Sequence, residues 1–160
     1  MPVEFLADDE AAAYGRYAAP PSQADLERVF FLDDEDLKLV GLRRGGHMKA
    51  GFALQLVTVR WLGTFLEDPL DVPGEVLDFV GGQLGIENPA VVKRDTERVK
   101  TKSDHQQEIR RRYGLRDFAE AEAELAGWVA ARAWTSGDGP KAIYTDALAW
   151  LRERKVLLPA

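Results

Sequence analysis

AGFALQLVTVRWLGTFL, residues 50–66, decides the fold. Its apolar residues Phe52, Leu54, Leu56, Val57, Trp61 and Phe65 point in every direction around a helix axis. A helix that is apolar on all sides is a buried one. The segment from His47 to Phe65 is therefore expected to be a core spine. No stretch of the chain alternates apolar and polar residues over any length, so sheet is not expected and the fold class is all-α.

The flanking segments carry helix punctuation. Asp8 is placed to cap a short helix ended by Gly15. Ser22 reads as the N-cap of ADLERVFF, and Asp33 as that of DEDLKLVGLRR, which Gly45 and Gly46 break. Pro73 opens GEVLDFVGGQLG, with Gly85 as its stop, and Pro89 opens a short segment through Val92 and beyond. Thr101 or Ser103 caps a helix ending at Tyr113 and Gly114. Asp117 caps FAEAEAELAGWVAARAW, and Pro140 opens KAIYTDALAWLRERKV. Trp61, Trp128, Trp134 and Trp150 fall in helical apolar patterns and are assigned to the core. The two prolines and polar residues of 68–73 mark the expected boundary between two small helical subdomains, 1–67 and 68–160.

At 160 residues, 46% hydrophobic and 30% charged, the chain reads as a globular protein. With no cysteine, disulfides and thiolate zinc sites are excluded, and His47 and His105 alone do not make a histidine-rich metal centre. The start MPVEFLADDE lacks the basic and apolar parts of a signal peptide, and no window holds 18 uninterrupted apolar residues. A cytoplasmic location, without a membrane partner, is the expectation. No cofactor is expected either: GGQLG and SGDGP lack the context and lysine of a phosphate loop. The run DDED at 33–36 suggests metal-binding carboxylates, but acids at a helix start more often serve as cap and dipole partners.

Charge is unevenly distributed. Residues 1–36 hold ten acids against Arg16 and Arg28, a net −8, within a chain of net −6. Residues 93–116 hold nine bases (Lys93, Arg94, Arg98, Lys100, Lys102, Arg110, Arg111, Arg112 and Arg116) against four acids, a net +5. A basic stretch in an acidic chain fits a polyanion, while the plainer alternative is a solvated helical face laced with ion pairs. A second basic group, Arg43, Arg44, His47 and Lys49, precedes the spine. It suits a phosphate at a helix N-terminus; alternatively, Arg43 and Arg44 complement the preceding helix C-terminus.

The helix from Thr101 to Tyr113 has only Ile109 and Tyr113 as apolar residues, four apart. Most of that cylinder faces outward. At about 100° per residue, Arg110, Arg111 and Arg112 fan across about 200°. Arg111 then points away from the apolar stripe, with Gln107 one turn before it. Arg and Gln are the side chains that reach guanine and adenine edges in a major groove. A short exposed helix preceded by another has the shape of a helix-turn-helix reader. Asp104 and Glu108 oppose this by repelling phosphate.

FFLDDEDLKLVGLRRGGH, GFALQLVTVRWLGTFLEDPLDVP, QLGI, YGLRDF, ARAW and WLRERKVLLP, with His105, Glu108, Ile109 and Arg110, resemble the N-terminal DNA-binding region of Tn3-family transposases. The resemblance runs from about Val3 to Pro159. It implies an all-helical module of two subdomains with helix-turn-helix-like elements that recognises the terminal inverted repeats of a transposon. The acidic catalytic triad of that family lies downstream, so no enzymatic activity is implied here. The family pattern points to Arg43, Arg44, His47, Arg94, Arg98, His105, Arg110 and Arg116 as DNA contacts; the helical geometry points to Gln107 and Arg111. The sequence departs from the family at Met48 and Lys49, where Asn and a basic residue are usual, at Asp95 and at Leu115. The expected partner is double-stranded DNA. The alternative is a protein-interaction or dimerisation module, docking on the remainder of a transposase or on a second copy.

Overall fold

A computed structural model describes residues 5–86 and 99–159, the side chains of Val99 and Lys100 excepted. Eight helices occupy the described residues: α1 (Asp8–Ala12), α2 (Gln23–Val29), α3 (Asp34–Gly41), α4 (Gly46–Leu62), α5 (Gly74–Gln83), α6 (Val99–Tyr113), α7 (Phe118–Thr135) and α8 (Pro140–Glu153). Among these residues the only extended pairing is an isolated parallel bridge between Arg116 and Val156. The all-α expectation holds. No helix among the described residues is long and apolar enough to cross a membrane.

By Cα proximity the chain divides into two compact units, with bounds between Tyr14 and Gly15 and between Ile109 and Arg110. Residues 68–73 lie inside the unit that holds α2 to α5. Helix α6 runs from that unit into the one that holds α1, α7 and α8.

The α2–α5 unit is built around α4. Ten consecutive residues, Ala50–Val59, are buried, as an all-round apolar helix requires. Each large side chain among them contributes roughly 1.5–3 kcal/mol by leaving water. Gly63 ends the helix in the left-handed conformation (φ 77°), its N–H donating to the Val59 carbonyl at 2.9 Å. Around α4 lie Leu26, Phe30, Leu32 and Val40, with Val76 and Val80 from α5. The Phe30 ring sits 5.6 Å from that of Trp61.

Caps act as expected at two helices. The Ser22 hydroxyl accepts the Asp25 N–H at 3.1 Å. Asp33 and Asp36 form a reciprocal capping box on α3. Asp36 has a second role, unforeseen from sequence: it is 1% exposed, and Arg60 of α4 grips it with both terminal nitrogens, one at 2.8 Å. The DDED run is thus a cap and one half of a buried ion pair.

Two further polar contacts tie this unit together. Tyr17 and Thr58 share a 3.0 Å hydrogen bond between hydroxyls. Burial pushes the Tyr17 hydroxyl up to about 12, against the Thr58 bond, which lowers it. Gln83 accepts from the Leu32 N–H at 2.7 Å and donates to the Phe30 carbonyl at 3.0 Å, tying α5 to the α2–α3 link.

The second unit joins the two ends of the described chain. Its core holds Ala121, Trp150, Leu151 and Val156, flanked by Phe118, Leu125, Trp128 and Leu158. The Tyr14 hydroxyl donates to the Pro159 carbonyl at 2.6 Å, and Lys141 pairs with Glu10 at 2.9 Å. Trp134 corrects the assignment of every tryptophan to the core: it is 90% exposed. At 100° per residue it falls on the opposite side of α7 from Ala121, Leu125 and Trp128. Helix α6 also starts earlier than its cap signals suggested, at Val99, leaving Thr101 and Ser103 inside it.

Candidate nucleic-acid interface

Helix α6 has two distinct faces. His105 and Ile109, four residues apart, are 5% and 0% exposed. The inward stripe is therefore longer than its apolar residues suggested, because a histidine extends it. The His105 ring meets the Phe52 ring edge-on, 5.2 Å between centroids at 79°. Burial, and after it the Arg43 charge, lower the imidazole pKa from its ordinary 6.5; Glu108 and Asp104 act the other way. His105 is a core histidine and has no surface to offer a duplex.

Arg43 is also held inward. Its side chain is 17% exposed and ion-paired with Glu108, itself 18% exposed. The guanidinium lies 4.4 Å from the Phe52 ring centroid. Arg43 thus neither caps the preceding helix nor presents its charge outward: it neutralises a carboxylate of α6. The same pairing removes Glu108 as an obstacle to phosphate on the outer face.

The outer face carries Ser103, Asp104, Gln107, Arg111 and Arg112, all exposed. Among the described residues, Arg111 and Arg112 form no ion pair. Gln107 and Arg111 are one turn apart on this face, as the helical geometry predicted. Their neighbours differ. Arg110 pairs with Asp117, and Arg116 sits 3.7 Å from Glu120, one turn on. Asp117 precedes α7 without a side-chain capping bond, its carboxylate being engaged by Arg110.

The remaining candidates are mixed. Arg44 is exposed, and His47 and Lys49 are half-buried on the first turn of α4. Lys102 donates to the Glu67 carbonyl at 2.8 Å. Lys93, Arg94 and Arg98 lie outside the described residues, as do the side chain of Lys100 and the Pro89 segment that a helix-turn-helix needs before α6.

One basic segment was not singled out from sequence: Arg152, Arg154 and Lys155, at the end of α8, all exposed. The run RERK was a visible signal, masked by the strong amphipathic pattern of the helix it terminates. No group of three or more metal-ligating side chains occurs among the described residues.

A family model described as a domain of unknown function (DUF4158) matches residues 5–160. The chain is 43% identical over 161 residues to the transposase for transposon gamma-delta of Escherichia coli (strain K12), an alignment covering 99% of this chain and 16% of that protein. It is 33% identical over 148 residues to the transposase for transposon Tn501 of Pseudomonas aeruginosa, covering 89% and 14%. To the transposase for transposon Tn1546 of Enterococcus faecium it is 27% identical over 158 residues, covering 98% and 16%. The chain thus spans only about a sixth of the length of these relatives.

Proposed function

The chain belongs to the DUF4158 family and is homologous to a region of Tn3-family transposases, and from that premise we propose that it recognises transposon-end duplex DNA through the outer face of α6. The observation that carries this reading is the segregation of α6. Its buried side takes up His105, Ile109 and the Glu108–Arg43 pair, while Gln107, Arg111 and Arg112 face solvent.

Gln107 and Arg111 are the base readers in this reading. One turn apart, they follow the floor of a major groove, Arg suited to guanine and Gln to adenine. Arg112 is assigned to a phosphate. Asp104 is exposed at the N-terminal end of the same face, so contact with the duplex begins at Gln107 and runs toward the helix C-terminus. Three residues of the sequence-derived set are withdrawn from direct contact. His105 is buried, Arg43 is bound to Glu108, and Lys102 is bonded to a backbone carbonyl. Recognition without strand-transfer chemistry, in the cytoplasm and on nucleoid DNA, is the role inferred.

A fluorescence-anisotropy titration tests this. A duplex bearing a Tn3-family terminal inverted repeat is compared with a scrambled duplex of equal length. Tighter binding to the repeat is expected, with log K falling by about 0.9 per log unit of salt for each phosphate neutralised. Equal affinity for both duplexes removes the specificity; no binding to either removes the function.

A second reading, self-association, is favoured by Trp134. It stands 90% exposed on a face of α7 made of Ala119, Ala123, Ala126, Ala130 and Ala133, all exposed. Sedimentation of the free protein as a monomer at high concentration would rule it out.

A further inference from the structure

We propose that the turn ending α8 is a second anion-binding element, in which Lys155 and Arg154, beside Arg116, take a backbone phosphate of bound duplex. The inference rests on the DNA-binding reading above and extends it to residues outside α6.

Lys155 is the only non-glycine described residue in the left-handed region, at φ 56°. The contrast with the end of α6 is direct. There Gly114 has φ 66°, and the next N–H, that of Leu115, donates back to the Arg110 carbonyl at 2.9 Å. At the end of α8 the N–H of Val156 donates to the Leu151 carbonyl, also at 2.9 Å. Both helices close with the same six-to-one bond, a geometry that favours glycine after the cap because it has no Cβ to clash. One helix has the glycine; the other keeps a lysine at a conformational cost. Among the described residues nothing offsets that cost through the Lys155 side chain. It is exposed and, among the described residues, makes no ion pair or side-chain hydrogen bond. A strained residue without internal compensation points to a role outside the fold, and an ammonium group's role is to meet an anion.

The surroundings fit that role. The Arg116 N–H donates to the Lys155 carbonyl at 2.8 Å, and the Leu157 N–H to the Arg116 carbonyl at 2.9 Å. With Val156 3% exposed beneath it, this bridge fixes the Lys155 backbone against the α6–α7 turn, four residues on from Arg112. The Arg154 guanidinium lies 4.0 Å from the Trp150 ring centroid and donates to the Trp150 carbonyl at 3.3 Å. An arginine stacked on a buried indole is ordered before any ligand arrives, so less entropy is lost on binding. Three carboxylates are close by in the chain. Asp117 is taken by Arg110; Glu120 and Glu153 sit 3.7 and 3.9 Å from Arg116 and Arg154 and are 61% and 77% exposed. Pairs so exposed are weak and yield to a phosphate.

Lys155→Gly removes the charge and the backbone strain together, and Lys155→Asn, tolerated in the same conformation, removes the charge alone. Both are titrated against inverted-repeat and scrambled duplexes at about 0.1 M salt. The expected result is an affinity loss of about 5- to 10-fold, equal for the two duplexes, with the salt slope reduced by about one. Lys155→Gly is also expected to raise the urea midpoint or leave it unchanged. Unchanged affinity in both variants overturns this inference and leaves the α6 reading standing. A loss confined to the inverted repeat overturns it too, because a phosphate contact carries no sequence information. A wild-type protein that binds neither duplex overturns both.

Discussion

Arg43 and Glu108, 65 residues apart in the chain, form an ion pair against the face of Phe52. It fastens α6 to the turn between α3 and α4, and so determines which side of α6 looks outward. An ion pair this secluded contributes less by its own attraction than its loss would cost, because either partner left alone is a desolvated charge. The Arg43 Nε, already buried without a partner, adds to that debt.

Glu108→Ala is therefore expected to destabilise the protein by about 2–4 kcal/mol. Urea denaturation measures it. A loss below about 0.5 kcal/mol, the size of a solvent-exposed pair, would show that the charges are screened after all.

The Asp36–Arg60 pair makes a stronger case, since the Asp36 side chain is 1% exposed. Arg60→Ala takes the opposite charge away from that buried carboxylate, at an expected cost of about 3–5 kcal/mol. Asp36→Asn keeps a capping oxygen and is expected to cost less. If the two variants unfold at the same urea concentration, the ion pair is not what holds α3 to α4.

Acid should loosen the seat of α6 before it protonates most carboxylates. The folded His105 pKa lies below 6.5, for reasons of burial and the Arg43 charge. A group depressed on folding contributes its full stability above the unfolded value and loses it as pH falls through the folded one. Thermal midpoints taken from about pH 8 to about pH 5 should fall below about 6.5 in the wild type. His105→Gln, less stable throughout, should show a flatter profile. Parallel profiles would mean that another group titrates.

The outer face of α6 predicts a split between specificity and affinity. Arg111→Ala should cost about 1–3 kcal/mol with inverted-repeat DNA and much less with scrambled DNA. Arg112→Ala should weaken both duplexes alike. Anisotropy titrations of the two variants decide it, and a reversed pattern would exchange the base and phosphate roles.

The tryptophans give a test of the fold itself. Trp150→Ala should cost about 3–5 kcal/mol, as for a buried aromatic. Trp134→Ala should stay within about 0.5 kcal/mol of wild type, as for a surface site.

Much of this was legible along the chain because it depends on neighbours in sequence. The all-round apolar pattern of 50–66 made α4 a buried spine, and Ser22 and Asp33 announced the starts of α2 and α3. The outward direction of Gln107 and Arg111 followed from helix geometry and the position of the Ile109–Tyr113 stripe. What the sequence could not decide was which charges meet. Arg43 with Glu108, Arg60 with Asp36, and Glu10 with Lys141 are separated by 24 residues or more, and no local period encodes them. His105 was expected to be a DNA contact from the family pattern, and only packing against Phe52 made it core. Trp134 looked like core because it falls in a helical apolar pattern, and only the side of α7 that was covered made it surface. Local backbone preference and helical period act within a few residues and are written in order. Desolvation and charge pairing act through space, so their outcome exists only once the helices have been brought together.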